Sequence, residues 1–489
     1  MLPFLSFLNG NHEDLNASQF IITIFFGISI SFFVFLSSII IKQLFKTNNK
    51  DFFLLLISIS TYILFVYRVL DINKIVYLIM FFTLPFSITY FVSKSINFKK
   101  IFSVSIFAMF IISATQVAIN YIFLNSEPLT RKDLQPIYQK TVSDKPNIYF
   151  FMLDEYSRSD ELLKLGIDNS YFINYLSDKS FYVADQSVSN FMATHYSLQA
   201  LYSMEYPNLI SDDFHLRKNI LQGNNKVIKT LKSLGYYHVR MGPNQATNTD
   251  CSGIEDHCLF KINDFDGTAY GYGSIYLNLI KMTPLYGIIQ RTFPKPFSRD
   301  VYKKSTIKNA LNEWKKYKKK IPSPLFVELN VWQPHAPYIY DRECELVKDI
   351  MDYDLDFNKS KKDLIKAIKG YRGEVHCVNR QVMEFVNFIN NTDPNAIVII
   401  LSDTGSSFGV DSELIPKSWT NTSIKTRSSN LWAVKLPEEC KNVLYPKISL
   451  VNTFRIVFSC IYKEEIILLR DKIHVHDRYN FTFHEIQVN

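Results

Sequence analysis

Two adjacent carboxylates, Asp154 and Glu155, close the otherwise apolar run of Asn147–Arg158 (NIYFFMLDEYSR). A near-continuous apolar run reads as a buried parallel strand. Open α/β sheets carry their chemistry just past the carboxyl ends of such strands, and paired acids there can hold a cation. A later acid, Asp403, stands at the tip of a second apolar run, Ala396–Leu401, within Ser402-Asp403-Thr404-Gly405. Between them lies a hydroxyl segment, Ser189–Tyr206 (SNFMATHYSLQALYSMEY), where Thr194 precedes a helical pattern over His195–Met204. An oxygen nucleophile at a helix N-terminus gains from unsatisfied amides and the positive dipole end, which attract phosphate or sulfate. The plainer alternative is that Thr194 is only an N-cap. His335 follows the strand pattern Leu325–Val331 inside Trp332–Tyr340 (WQPHAPYIY). Pro334 and Pro337 frame it, so its imidazole is pre-oriented toward a substrate oxygen or a metal; the alternative is an ordinary surface histidine.

The elements that must position these groups alternate between strand and helix. Asn225–Ser233 reads as a helix closed by Gly235, and Tyr236–Met241 as the next strand. Phe385–Asn390 closes the helix before Ala396–Leu401. Tyr371–Phe388 is helix-like around Asn379, and Leu450–Phe458 is a capped apolar helix in which Asn452 and Arg455 brace loops. This alternation predicts an α/β fold, a mostly parallel central sheet with helices on both faces. There is no internal repeat. Between about Gly267 and Lys320 the signals weaken; the lysines of Trp314–Lys320 cover a solvated helix face or, alternatively, meet lipid headgroups.

Upstream, four segments reach the ~20 apolar residues that a bilayer requires: Ser18–Ile41, Phe52–Val69, Ile75–Val92 and Ile101–Leu124. Lys42, Lys46 and Lys50 fill the first loop and Lys94, Lys99 and Lys100 the third, which places those loops in the cytoplasm and all that follows Leu124 outside. The expected organisation is therefore a four-helix transmembrane bundle over 1–125, a turn-rich linker over 126–145 and an extracytoplasmic domain over 146–489. The first span is too long for a cleavable signal peptide. A net charge of +8 among scattered acids does not read as nucleic-acid binding. Paired intramembrane charges that a transporter would need are missing.

All six cysteines follow residue 250. Cys251 and Cys258 flank a short polar loop suited to a disulfide, and Cys344 with Cys377 is a second plausible pair. Cys440 and Cys460 remain, and Cys460 sits in so apolar a run (FRIVFSCIY) that a buried free thiol is the alternative to a bridge. No CxxC pair with matching histidines suggests structural zinc.

In order and spacing, Asn147–Glu155, Thr194, the PHAPY segment, Ser402–Gly405 and Val451–Arg455 (VNTFR) resemble the sulfatase and alkaline-phosphatase superfamily. They are most similar to its membrane-anchored branch of lipoteichoic acid synthases and phosphoethanolamine transferases. The resemblance spans roughly Pro146–Val475 and implies an alkaline-phosphatase-like α/β domain. It implies a phospho- or sulfo-ester transferase or hydrolase on a cell-envelope lipid or glycan. One divalent metal (Zn, Mn or Mg) would be held by Asp154, Glu155, Thr194 and Asp403. Thr194 would be the nucleophile, His335 a catalytic and substrate-facing histidine, and Arg158 a contact for the anionic group. A bacterial cytoplasmic membrane with the domain on its periplasmic side follows from the same likeness.

One departure stands out. Where the family has Asp-His-Gly, this chain has Asp403-Thr404-Gly405, and threonine is no substitute for imidazole on zinc. Three outcomes are open. Another histidine (His195, His335, His474 or His476) fills the gap, a harder ion binds through oxygens alone, or metal and catalysis are lost. The last would leave a catalytically silent binding or scaffold protein of the envelope.

Overall fold

The strand expected at the first acids is β1, Ile148–Asp154, buried at every position. Successive strand residues point to opposite faces, so an unbroken apolar run needs cover on both sides. Tyr149, Phe151 and Leu153 enter one apolar layer, and Ile148, Phe150 and Met152 the other. The first layer is completed by helices Ile307–Tyr317 and Lys361–Thr392 through Trp314, Val378 and Phe385. Helices Thr194–Ser203, Lys226–Ser233 and Thr453–Tyr462 complete the second through Leu198, Leu231 and Phe454. The computed structural model describes residues 4–5, 8, 17–45, 88–89, 96–125, 142, 144–207, 214–241, 251, 253–259, 307–336, 338–351, 361–408, 419–477 and 482–486.

The central sheet adds β2 (Tyr182–Val183), β3 (Tyr237–Met241), β4 (His257–Leu259), β5 (Leu325–Pro334), β8 (Ile397–Ser402) and β9 (Trp432–Lys435). Two small antiparallel pairs stand apart: β6 (Tyr338–Tyr340) with β7 (Leu346–Met351), and β10 (Ile473–Asp477) with β11 (Thr482–Ile486). The sheet order is β2-β9-β8-β1-β5-β3-β4. From β8 to β4 the pairing is parallel, and β9 and β2 add an antiparallel edge. The mostly parallel α/β sheet read from the sequence is therefore present.

Register fixes what the strand tips can share. Leu153 lies opposite Ser402 of β8, and Asp154 lies opposite Pro334 of β5 after an irregularity that follows Leu153. β5 runs on to Pro334, beyond the Val331 expected. The residues after β1, β5 and β8 thus leave three neighbouring strands at the same edge.

All three cysteine pairs are bridged: Cys251–Cys258, Cys344–Cys377 and Cys440–Cys460. The alternative of a free Cys460 is corrected. Although its surroundings are apolar, Cys440 is near enough to bond it, with Cα atoms 5.3 Å apart.

The chain divides into two compact units, one built mainly from residues 1–128 and the other from the α/β domain. In the first, helices Ala17–Phe45 and Ile96–Asn125 overlap the first and fourth expected spans. Among the described residues no helix is long and apolar enough to cross a membrane. Phe52–Val69 lies outside the described residues, as do all of Ile75–Val92 except 88–89 and nearly all of the linker over 126–145. The two helices carry exposed Phe25, Phe32, Val104, Phe107 and Ile112.

Candidate functional site

Beyond the tip of β1 the chain turns sharply at Glu155, whose φ of 58° is in the left-handed region. For a non-glycine residue this costs ~1–3 kcal/mol unless neighbours hold it. They do so at both ends of the residue. The Glu155 N–H donates to Asp403 Oδ1 (3.0 Å), and the Tyr371 hydroxyl donates to the Glu155 carbonyl (2.7 Å). The acid after β8 is thus a built part of the turn after β1.

The Thr194 side chain lies beside Asp403 and pulls its carboxyl down. Thr194 is the first helical residue of Thr194–Ser203, and Ala193 holds the cap position. The N-cap alternative for Thr194 is therefore corrected: the residue stands inside the helix, one position past the cap. Alanine has no side chain with which to satisfy first-turn amides, so the helix end is left without a side-chain cap. Thr194 is half-buried, whereas Asp154, Glu155 and Asp403 are at most 3% exposed.

A cation that the sequence reading missed sits among these acids. Arg427, near the end of helix Asn421–Ser428, is 6% exposed. Its Nη1 pairs with Glu155 Oε1 and also donates to the Gly405 carbonyl (2.9 Å), while Nε donates to the Met192 carbonyl (3.0 Å). Ser407 Oγ donates to Glu155 Oε2 (3.2 Å). His335 Nε2 lies 3.6 Å from Glu155 Oε1. Its Nδ1 is 2.6 Å from the Ala336 carbonyl; a carbonyl can only accept, so the proton is assigned to Nδ1.

The electrostatics follow from burial and these partners. Burial pushes the Glu155 carboxyl up, but Arg427, helped by His335 and Ser407, outweighs it and holds the group below its ordinary value. For Asp403 burial wins. Arg427, Thr194 and the Glu155 N–H pull the carboxyl down, yet it remains raised. Arg427 is desolvated as well, but the charges of Glu155, Asp403 and Asp154 keep its guanidinium above its ordinary value.

Arg158 stands differently from its expected role. Its guanidinium is held by Asp160 (2.7 and 2.9 Å) and by the Ser187 carbonyl (2.7 Å). Asp160, two residues on, captures it locally. Of the spare histidines, His474 stacks on Phe191 (5.0 Å between ring centres) and His476 packs on Tyr196 (5.0 Å). His195 also packs on Tyr196 (4.2 Å). Asn452 and Arg455 do brace loops, bonding Leu469 and Met204 carbonyls respectively.

Whether these residues fit a divalent ion can be judged from the donors. Thr404 is buried where an imidazole would be needed, with Oγ1 3.5 Å from Asp403 Oδ2. Glu155, one of the expected ligands, is committed to Arg427. Among the described residues, the trio of His, Cys, Asp or Glu that draws ligand atoms within 4.8 Å of one another is Cys251, Glu255 and Cys258. Two of these are disulfide-bonded sulfurs. The donor set at the strand tips does not fit a zinc ion, which takes nitrogen and sulfur donors beside carboxylates.

A family model described as Sulfatase matches residues 146–429, more than half of the 489-residue chain. The chain belongs to the sulfatase family. The match takes in β1, Thr194, His335, Asp403 and Arg427, so every residue of the site lies within the sulfatase domain. Among solved structures, it is similar to the phosphonate monoester hydrolase of Agrobacterium radiobacter (12% identity, 68% of this chain and 80% of that one, TM-score 0.44). It is similar to the integral membrane lipooligosaccharide phosphoethanolamine transferase A of Neisseria meningitidis (10% identity, 94% and 95%, TM-score 0.42). It is also similar to the C-terminal periplasmic domain of EcEptC from Escherichia coli in complex with Zn (11% identity, 67% and 86%, TM-score 0.43). No curated protein sequence matches the chain.

Proposed function

We propose that this sulfatase-family protein transfers or hydrolyses a phosphate- or sulfate-type ester on a membrane lipid or envelope glycan, with Thr194 as the nucleophile. The observation that carries this reading is the placement of the Thr194 hydroxyl beside Asp403 at a helix end without a side-chain cap. Asp403, raised by burial, is a stronger base than an ordinary carboxylate and accepts the Thr194 proton. Thr194 Oγ1 bonds to phosphorus or sulfur as the bond to the leaving oxygen breaks, giving a covalent threonine ester. A water or acceptor hydroxyl then attacks that ester, and Thr194 Oγ1 leaves with the proton returned by Asp403. His335, carrying a second proton on Nε2 as imidazolium, gives it to the departing oxygen and regains one from the incoming water or hydroxyl.

An envelope location is supported by three disulfides, which persist in oxidising compartments. The exposed Phe25, Phe32, Phe107 and Ile112 on two long helices suit a lipid surface better than water. Charge placement in the loops supports an extracytoplasmic domain.

Thr404 favours one rival reading, a catalytically silent scaffold on the same fold. Assays of the detergent-purified full chain on aryl phosphate, aryl sulfate and aryl phosphonate esters separate the two. Turnover should fall at least roughly 1,000-fold in a folded Thr194→Ala. No turnover of any ester by wild type, or full turnover by Thr194→Ala, would reject the nucleophile.

A further inference from the structure

The conflict between the acids and the ion they were expected to bind has a positive side. Three buried carboxylates at one sheet edge require a counter-charge, because a buried charge is tolerated only when paired and hydrogen-bonded. Here the counter-charge is a side chain. Arg427 pairs with Glu155, and its field reaches Asp403 and Asp154. It is braced as a fixed cation should be: Nη1 is shared by Glu155 and the Gly405 carbonyl, and Nε is held by the Met192 carbonyl, two residues before Thr194. Nη2 donates to none of the described residues.

We propose that Arg427 is the resident cation of this site, taking the place of a divalent metal, and that its Nη2 edge binds the tetrahedral oxyanion that Thr194 attacks. A guanidinium is suited to this work: it stays charged, and its planar fork matches phosphate and sulfate oxygens. The arrangement also accounts for Thr404. With the cation supplied by the chain, no imidazole ligand is required after Asp403. The metal replacement stands whether or not Thr194 is the nucleophile; the role of Nη2 rests on the proposed group transfer.

The test uses the full chain in detergent. Divalent metal content is measured by elemental analysis, melting temperature with and without EDTA and with added Mn²⁺ or Zn²⁺, and binding of inorganic phosphate and sulfate by calorimetry. The expected result is substoichiometric metal, a melting temperature indifferent to chelator and added ion, and anion binding weakened about tenfold or more in Arg427→Gln, as for loss of one charge-assisted hydrogen bond. A stoichiometric ion whose removal lowers the melting temperature overturns the metal replacement. Unchanged anion affinity in a folded Arg427→Gln overturns the role of Nη2. Should Arg427→Gln fail to fold, Arg427→Lys keeps the charge but loses the fork, and must bind the anion more weakly than wild type. If Thr194→Ala abolishes turnover while wild type holds a metal, the nucleophile stands and this inference falls.

Discussion

Gly405 and Arg427 bind one another in both directions. The Gly405 N–H donates to the Arg427 carbonyl (2.7 Å), and Arg427 Nη1 donates to the Gly405 carbonyl (2.9 Å). This reciprocal pair ties the loop after β8 to the helix that carries the buried cation. A Cβ at position 405 would stand 2.2 Å from the Thr426 carbonyl and 2.6 Å from that of Ser429. Only a glycine lets the two backbones meet.

Gly405→Ala should therefore separate loop and helix and pull Arg427 away from Glu155. The expected cost is about 2–4 kcal/mol, the range of an overpacked and partly unpaired core site. Esterase turnover should fall with it. Thermal melts and turnover measured on the same preparation check this; an unchanged melting temperature would show that the backbones separate freely.

Glu374 supplies a pH dependence remote from the site. Its carboxyl is fully buried, and Oε1 accepts from the N–H groups of Ile339 (2.5 Å) and Tyr340 (2.8 Å). Burial pushes its pKa up to about 8, against the pull of those two N–H groups. The unfolded acid, with an ordinary value near 4.5, releases its proton while the folded one keeps it. Stability contributed here therefore falls as pH rises from about 4.5 to about 8 and is level outside that window. Glu374→Gln retains the carbonyl acceptor and cannot titrate. Its stability at pH 8 should exceed that of wild type by roughly 2–4 kcal/mol, and the difference should vanish near pH 4 in denaturant melts.

A buried pair within the sheet is the third case. Arg240 of β3 faces Glu328 of β5 in register, and both side chains are wholly buried. Glu328 Oε2 meets Arg240 Nε at 3.2 Å and His238 Nε2 at 2.9 Å, while Asn330 Nδ2 donates to Oε1 (2.9 Å). Arg240→Met leaves the carboxylate its bonds to His238, Asn330 and Tyr202 but takes away its guanidinium, and should cost ~3–5 kcal/mol. The double variant Arg240→Met with Glu328→Leu should recover only part of that loss, because Tyr202, His238 and Asn330 then lose their acceptor. Equal destabilisation of single and double variants in urea melts would contradict the pairing argument.

The strand tips were legible in the sequence because β1 and β8 are apolar on both faces and stop at acids. Thr194 was not legible from topology, since it opens a helix and ends no strand; only its hydroxyl at a helix start and the family resemblance singled it out. Arg427 was not legible by any of these signals. It lies in Asn421–Ser428 (NTSIKTRS), a short polar helix with no apolar period, and its partners are 272 residues away at Glu155 and 22 at Gly405. Arg158 misled for another reason. The family resemblance suggested a contact with the anionic group, but Asp160 holds its guanidinium.

The most direct measurement is mass spectrometry of the wild-type chain quenched during turnover of an aryl phosphate or sulfate ester. The expected spectrum shows a phosphoryl or sulfuryl group on the peptide containing Thr194, lost in Thr194→Ala and present in metal-depleted wild type. Sustained turnover with no modified Thr194, or modification only after a divalent ion is restored, would contradict a threonine nucleophile served by a guanidinium.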